Sequence, residues 1–389
     1  MAIKLSELYD SVKDQEIKLV AGKNGLNNIV RWVHMVESLE ISVFLHGQEI
    51  AFTTGIGLEN KEDLFNLVKH TYNNNASGMV INIGPFIDEI SNEIIEFCNE
   101  NDFPIFEVPW HVYMAEIMRD FCYNITISDR INTELSNAIK NAIFFQSQQE
   151  LYLPQLERHN FNSNWSYCLA VIETRDKDSK KVVDSKRRAK ILKNLENTLA
   201  HTSKRSFVFE LDGRFVLVFA KYSEEKIKDI VELTKKRCNP ILRNNEEIYF
   251  GVGKSTKNAK CIAKSYKRAL DVLKLQKSSN SNEIIMYRQL GLYKLLLSID
   301  DKEIVNEYYQ ETLEPLIKHD QLNNTDYLEV LDSYIKNDCC VKDVAEQLFY
   351  HRNTINYKLN KIQEILSCDL SKLNTRLIYS ISLMLNNIN

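Results

Sequence analysis

The chain has little of what several protein classes require. No stretch approaches about 18 consecutive apolar residues, so a membrane-spanning helix is not expected. The opening MAIKLSELYDSVKDQ has no apolar core of the kind a secretory leader carries, which predicts a cytoplasmic protein. The 8 cysteines form no CxxC pair, and Cys339 and Cys340 are adjacent. That spacing offers neither a disulfide framework nor a zinc ligand set, and buried, reduced thiols are the expectation. There is no basic excess either: the net charge of -4 confines any nucleic-acid contact to a local surface. A complete phosphate loop is also missing. GVGKST at Gly251–Thr256 ends like one, but the glycine required five residues before Gly253 is Ile248. Half a loop has too few backbone amides to wrap a triphosphate. The stretch instead predicts a strand, a turn and a helix with Ser255 or Thr256 near the cap. No Ser/His/Asp, Cys/His or metal-ligand cluster stands out, so no catalytic residue, metal or cofactor is expected.

What is present is ordinary globular material: 389 residues, 44% apolar and 26% charged, enough for two to four domains of about 100–200 residues each. The most informative stretch is VKDVAEQLFYHRNTINYKLNKIQEIL, Val341 to Leu366. Val344, Ala345 and Leu348 share one face of a first helix, and the small Ala345 suits a close helix approach. After the turn Phe349-Tyr350-His351-Arg352, either Asn353 or Thr354 is placed to cap a second helix. In that helix Ile355, Leu359, Ile362 and Leu366 form one apolar stripe. Asn356, Tyr357, Lys358, Asn360 and Lys361 take the other face, with Arg352 at its start. Cationic side chains offset phosphate charge, and Asn, Arg and Thr read base edges, so the pattern fits a recognition helix as well as a plain helical hairpin.

AEQLFYHRNTINYKLNKIQEIL, followed by CDLSKLNTRLIYSISLML, closely resembles the C-terminal helix-turn-helix of the PucR/CdaR family of bacterial transcription regulators. The resemblance implies binding to double-stranded operator DNA. On it, His351, Arg352, Asn353, Thr354, Asn356, Tyr357, Lys358 and Lys361 are the expected DNA-binding residues, with Arg352 and Lys358 or Lys361 on phosphates and Asn353, Thr354, Asn356 and Tyr357 on bases or positioning the helix.

Residues 1–125 alternate strand-like runs (Ile17–Ala21, Ile29–Met35, Glu49–Thr53, Met79–Ile83, Ile105–Val108) with helical patterns at Lys61–Tyr72 and Ser91–Asn101, which predicts an α/β domain with a largely parallel sheet. Loops after strands collect ligands in such sheets; Thr53-Thr54-Gly55-Ile56-Gly57 and Ile83-Gly84-Pro85 are candidates, or plain turns. VAGKNGLNNIVRWVHMVE, FLHGQEIAFTTGIGL and PIFEVPW look like the N-terminal domain of the same family. That implies a sensor for a small metabolite of unknown identity, linked to purine or nitrogen catabolism. Arg31, His34, Thr53 and Thr54, polar groups at strand ends, are the candidate effector contacts; His34 fits a satisfied, partly buried histidine better than a ligand contact.

Residues 126–158 read as a helical linker. Ile131, Leu135, Ala138, Ala142 and Phe145 follow a 4-3-4-3 spacing that Tyr152 and Leu156 continue, fitting either a homodimer seam or a helix lying on its own domain. Residues 159–287 read as strand, helix, strand, strand, helix, strand, helix, with an Asp212-Gly213 hairpin turn, the order of a ferredoxin-like sheet with helices on one face. The segment resembles a GGDEF-like domain. Cyclases of that superfamily hold Mg²⁺ with an acid in the hairpin; here Gly213 takes that place beside Arg214, which implies a structural or regulatory domain. The alternative function, a nucleotide cyclase or other metal-dependent enzyme, would rest on Glu173 and Asp212. The helix from Lys257 to Leu275 buries Ile262, Tyr266, Ala269 and Leu273 beneath a face of Lys257, Lys260, Lys264, Lys267 and Lys274, which reads as a solvated surface before a weak contact with DNA or an acidic partner. Residues 288–389 are expected to be all helical, with helices at Leu290–Ile299, Ile304–His319, Asp326–Asn337 and Thr375–Asn387 around the recognition pair. Leu292, Leu295, Leu296 and Ile299, then Leu328, Leu331 and Ile335, are the expected core faces. The whole reads as a ligand-responsive regulator, an activator of a catabolic operon in purine, nitrogen or amino-acid metabolism.

Overall fold

A computed structural model describes residues 3–177, 183–202, 205–278, 284–299 and 301–386. The chain divides into two compact units, Met1–Leu270 and Asp271–Asn389.

The first unit holds two sheets. Its N-terminal part runs β1 (Ile3–Lys4), α1 (Leu5–Ser11), β2 (Lys18–Ala21), β3 (Ile29–Val30), β4 (Trp32–Met35), α2 (Leu39–Ser42), β5 (Glu49–Thr53), α3 (Lys61–Asn73), β6 (Gly78–Ile83), α4 (Asn92–Glu100) and β7 (Ile105–Pro109). The sheet order is β2-β7-β6-β5-β4. β4 through β7 pair in parallel and β2 joins β7 antiparallel. Alternation at period two sorts the side chains. Ala51, Met79, Ile81 and Ile105 pack with Leu64, Leu67, Val68 and Ile94 of α3 and α4. Ile50, Phe52, Val80, Phe106 and Val108 pack on the other face with Leu5, Leu8, Ile117 and Phe121. A parallel sheet covered on both faces is the α/β arrangement the sequence predicted.

The cover on that second face comes from α5 (Met114–Phe144), which begins well before residue 126 and continues for 31 residues. Leu135, Ala138 and Ala142 of the heptad-like seam are fully buried within this chain, whereas Phe145 is exposed. The helix therefore lies on its own unit along that stretch. After α6 (Leu153–Arg158) come β8 (Tyr167–Asp176), α7 (Ser185–Ala200), β9 (Ser206–Leu211), β10 (Arg214–Ala220), α8 (Glu224–Cys238), β11 (Glu246–Val252) and α9 (Ile262–Ser278). β11, β8, β10 and β9 are hydrogen-bonded neighbours in that order, every pair antiparallel. The β9–β10 turn is the expected hairpin: Asp212 at φ +48 and Gly213 at φ +74 both take the left-handed values that a two-residue turn of type I′ requires. Helices on one face alone do not describe this sheet. Arg188 of α7 lies over the Phe215 ring on one side, and Lys140 of α5 lies over Phe209 on the other.

The second unit is helical: α10 (Tyr293–Leu296), α11 (Lys302–Thr312), α12 (Glu314–Asn323), α13 (Tyr327–Lys336), α14 (Val341–Gln347), α15 (Arg352–Ile365) and α16 (Leu373–Asn386). Two predicted helices are corrected. Leu290–Ile299 shrinks to α10 because Gly291 takes φ +53 and ψ -127, a conformation closed to other residues. Leu292 and Leu295 are consequently exposed, Leu295 by 65%, Ile299 is half-buried, and of that expected core face Leu296 alone is buried. Ile304–His319 is two helices, broken at Leu313 because Pro315 has no N–H to continue the ladder. Asn387 of the last predicted helix lies outside the described residues. One core gathers Leu316, Val330, Leu331, Val344, Ala345, Ile355, Leu359 and Ile362. A second joins Val272 and Leu275, from the end of α9, to Leu290, Leu296, Val305 and Leu385.

Candidate nucleic-acid interface

The turn between α14 and α15 is built by backbone geometry. Phe349 takes φ +55, and the Tyr350 N–H donates to the Ala345 carbonyl at 2.9 Å, the 6→1 bond of a Schellman stop. A phenylalanine where glycine is usual leaves its ring 95% exposed. The new helix starts two or three residues earlier than the expected caps, Asn353 or Thr354, would place it. His351, with extended backbone, is the cap, and its Nδ1 accepts from the Asn353 N–H at 3.3 Å. Asn353 and Thr354 thus lie inside the first turn, where their side chains are not used as caps.

α15 buries Ile355, Leu359 and Ile362 against Val344 and Ala345 of α14 and Val330 and Leu331 of α13. Each such side chain contributes about 1.5–3 kcal/mol on burial, which fixes the helix and hence its outer face. Arg352, Asn353, Asn356, Tyr357 and Asn360 are exposed there, Tyr357 by 58%, and His351 is exposed at the start. Thr354 and Lys361 are half-buried. Lys361 Nζ pairs with Glu364 at 2.6 Å, a hydrogen bond that holds its ammonium above the ordinary range. Arg352 makes no ion pair with any described residue.

Lys358 is placed differently. Its side chain, 14% exposed, reaches back to the Asp326 carboxylate just before α13, and its Nζ lies 3.8 Å from the Tyr350 ring centroid. Tyr350 Oη donates to the same carboxylate at 2.9 Å. Burial alone would lower the Lys358 ammonium; the hydrogen bonds to Asp326 and Tyr350 outweigh it and raise the group. The same contacts, against the opposing effect of burial, hold Asp326 low. This triad ties the turn and α15 to α13. Asp326 and Phe349 were not singled out in the sequence: the first acts across 32 residues, and the second shows itself only as a bulky residue at a left-handed helix stop.

The four candidate effector contacts are not brought together. Thr53 and Thr54 surround the Glu37 carboxylate: both hydroxyls donate to it at 2.9 Å, as do the Thr54 and Gly55 amides at 3.0–3.1 Å. Glu37 was missed because its glycine-threonine nest follows a different strand. Arg31, at the opposite end of β4, pairs with Glu196 of α7. His34 sits between them, half-buried and paired with Ala51 in the ladder.

In the middle sheet Glu173 is 3% exposed and is held by Arg214, whose Nε lies 2.7 Å away, and by Arg175. Two guanidinium groups occupy the carboxylate that a metal would need. No group of three or more metal-ligating side chains occurs among the described residues. The GVGKST stretch also departs from its predicted cap. Thr256 lies six residues before α9, and its Oγ1 donates to the Tyr167 carbonyl at 3.2 Å. Gly253 is there for space: a Cβ would sit 2.2 Å from the Ser265 carbonyl oxygen of α9.

In sequence these are a largely parallel α/β sheet, an antiparallel α+β sheet and a set of helices that includes the α14–α15 pair. Family models match in the same order. The Purine catabolism regulatory protein-like family (PucR) matches residues 8–125, a GGDEF-like domain 147–275, and the PucR C-terminal helix-turn-helix domain 327–385. The chain thus has the three modules of PucR-type regulators. The Proline-responsive transcriptional activator PutR of Bacillus subtilis (strain 168) is 31% identical over 257 residues, 64% of this chain and 60% of that protein. The DNA-binding transcriptional activator AdeR of the same organism is 26% identical over 133 residues, 34% of this chain and 32% of AdeR. Its Purine catabolism regulatory protein is 30% identical over 131 residues, 33% of this chain and 24% of that protein. The chain therefore matches 60% or less of the length of these relatives.

Proposed function

We propose that the chain is a ligand-responsive, DNA-binding transcriptional activator of a catabolic operon in nitrogen, purine or amino-acid metabolism. The observation that carries this is α15: a buried stripe holds the helix, and Arg352, Asn353, Asn356 and Tyr357 stand exposed on its outer face. The relatives named as activators support the sign of regulation. Residues 1–125 act as the effector sensor, 126–158 as the linker, 159–287 as a regulatory domain of ferredoxin-like fold, and 288–389 as the reader. The ferredoxin-like assignment is supported by the βαββαβ order with the first strand central and the fourth at its side. The protein works on its operator in the cytoplasm as a homodimer, each reader taking one half-site. No helix of the described residues is long and apolar enough to cross a membrane. We assign the middle domain no turnover, supported by Gly213 in the hairpin and by the pairing of Glu173 with Arg175 and Arg214.

The test is protection footprinting on the DNA flanking the chain's own gene. A protected pair of half-sites is expected. Arg352→Ala is expected to weaken binding by about 1–3 kcal/mol and to lower the salt slope by about one per reader. Unchanged affinity would remove Arg352 from the interface, and uniform weak protection at every sequence would overturn the operator reading.

A further inference from the structure

One side chain of the helical unit has no part in its packing. Phe349 is 95% exposed, more than any other large apolar side chain among the described residues. Its backbone, at φ +55, lies in the left-handed region, where a Cβ crowds the following carbonyl and an aromatic residue is an outlier. Two costs therefore fall on one residue, an unburied ring and a strained backbone. The fold itself does not need either. The Tyr350 N–H closes the turn on the Ala345 carbonyl, a backbone bond that glycine at 349 would permit equally. The tie to α13 runs through Tyr350, Asp326 and Lys358. Phe349 makes no ring stacking or cation contact with any described residue.

Its place in the chain says what such a ring can meet. Phe349 stands three residues before Arg352, the first residue of α15, and His351, Arg352 and Asn353 are exposed beside it. Polar and cationic neighbours suit a phosphate-lined groove better than an apolar protein face. In a helix-turn-helix, the start of the second helix meets base edges in the major groove. The apolar group displayed there is the C5-methyl of thymine, and phenylalanine is one of the side chains that packs on it. The left-handed backbone then has a use, because it orders the turn that carries the ring before DNA arrives. We propose that Phe349 reads a thymine, packing its ring on the C5-methyl of a base next to those faced by the start of α15. This rests on the operator reading above and adds a specificity-determining residue to it.

The experiment is equilibrium binding of the full chain to duplexes it enriches from a random library. Their thymines are replaced one position at a time by uracil, which lacks only the methyl. For the parent chain, uracil at one position of the half-site is expected to weaken binding about fourfold, the contribution of one buried methyl. Phe349→Gly and Phe349→Asn both tolerate the left-handed backbone, so the turn keeps its geometry. In each variant the thymine and uracil duplexes are expected to bind alike, no tighter than the parent binds uracil. The urea midpoint is expected to stay at or above the parent's, which separates a lost contact from a lost fold. A uracil penalty absent from the parent, or equal in the parent and both variants, overturns the contact and leaves the operator reading standing. A midpoint lowered in both variants also overturns it, because the ring is then a packing residue. So does a changed oligomeric state in both with uracil unread, which places the ring against a second copy of the chain. Failure of the parent to enrich any sequence overturns the contact and the operator reading together.

Discussion

At the scale of single residues, Lys358 and Arg352 divide the work that a basic helix face suggests for both. Lys358 is spent on Asp326 and Tyr350, while Arg352 stands exposed. Stability separates them. Removing one partner of a mostly buried pair leaves the other uncompensated, whereas an exposed substitution changes little. Lys358→Met is expected to destabilise the C-terminal unit by about 1–3 kcal/mol, between the values for exposed and fully buried pairs. Arg352→Ala is expected to stay within about 0.5 kcal/mol of the parent. Urea melts followed by circular dichroism decide it, and equal stabilities of the two variants would remove the strut role. The pH dependence follows from the shifts. Asp326 is held below its ordinary value, so its contribution is present above about pH 3.9 and is lost as pH falls through the lower folded value. Lys358 is held above its ordinary value, so its contribution is present below about pH 10.4 and is lost as pH rises through the raised one. Asp326→Asn should therefore cost most between those limits and progressively less in strong acid.

At the scale of elements, legibility followed the range of the cause. The strands of the first sheet could be read because Ile50 and Phe52, or Val80 against Met79 and Ile81, alternate within a few residues. The α14–α15 pair could be read because Val344 and Ala345 in the first helix, and Ile355, Leu359 and Ile362 in the second, carry helical spacings of their own. Where one residue overrides a longer pattern, the reading failed: Pro315 splits a helix whose apolar spacing runs through it, and Gly291 shortens another. The site was legible as a face but not as a circuit, because Asp326 meets Lys358, and Arg31 meets Glu196, only through the fold. GVGKST shows a motif serving packing instead of chemistry. With the Ser265 carbonyl 2.2 Å from a would-be Cβ, the end of β11 and α9 must move apart to admit any side chain at Gly253. Gly253→Ala is expected to destabilise the first unit by about 1–3 kcal/mol; a melt unchanged from the parent would show that this approach can relax.

At the scale of the whole molecule, the thiols report how the chain is packed. All eight cysteines are free, with Cys98, Cys168 and Cys238 buried and Cys122 exposed. Burial pushes the thiols of Cys98, Cys168 and Cys238 up to about 12, so they stay protonated and inert at neutral pH. A thiol-reactive dye at pH 8 is expected to label Cys122 promptly and those three only after unfolding; prompt labelling of any of them would show that its core opens. Such protection holds only while each core keeps all of its parts, and α9 belongs to two of them. Ile262 and Ala269 are buried in its first half, while Val272 and Leu275 fill the core of the helical unit. A gene fragment starting at residue 288 would encode the later helices without Val272 and Leu275, and so with a hole in the core those two fill. A start at or before residue 262 carries the missing turns, so the heritable piece that can be cut out and shuffled is longer than the run of helices from α10 to α16.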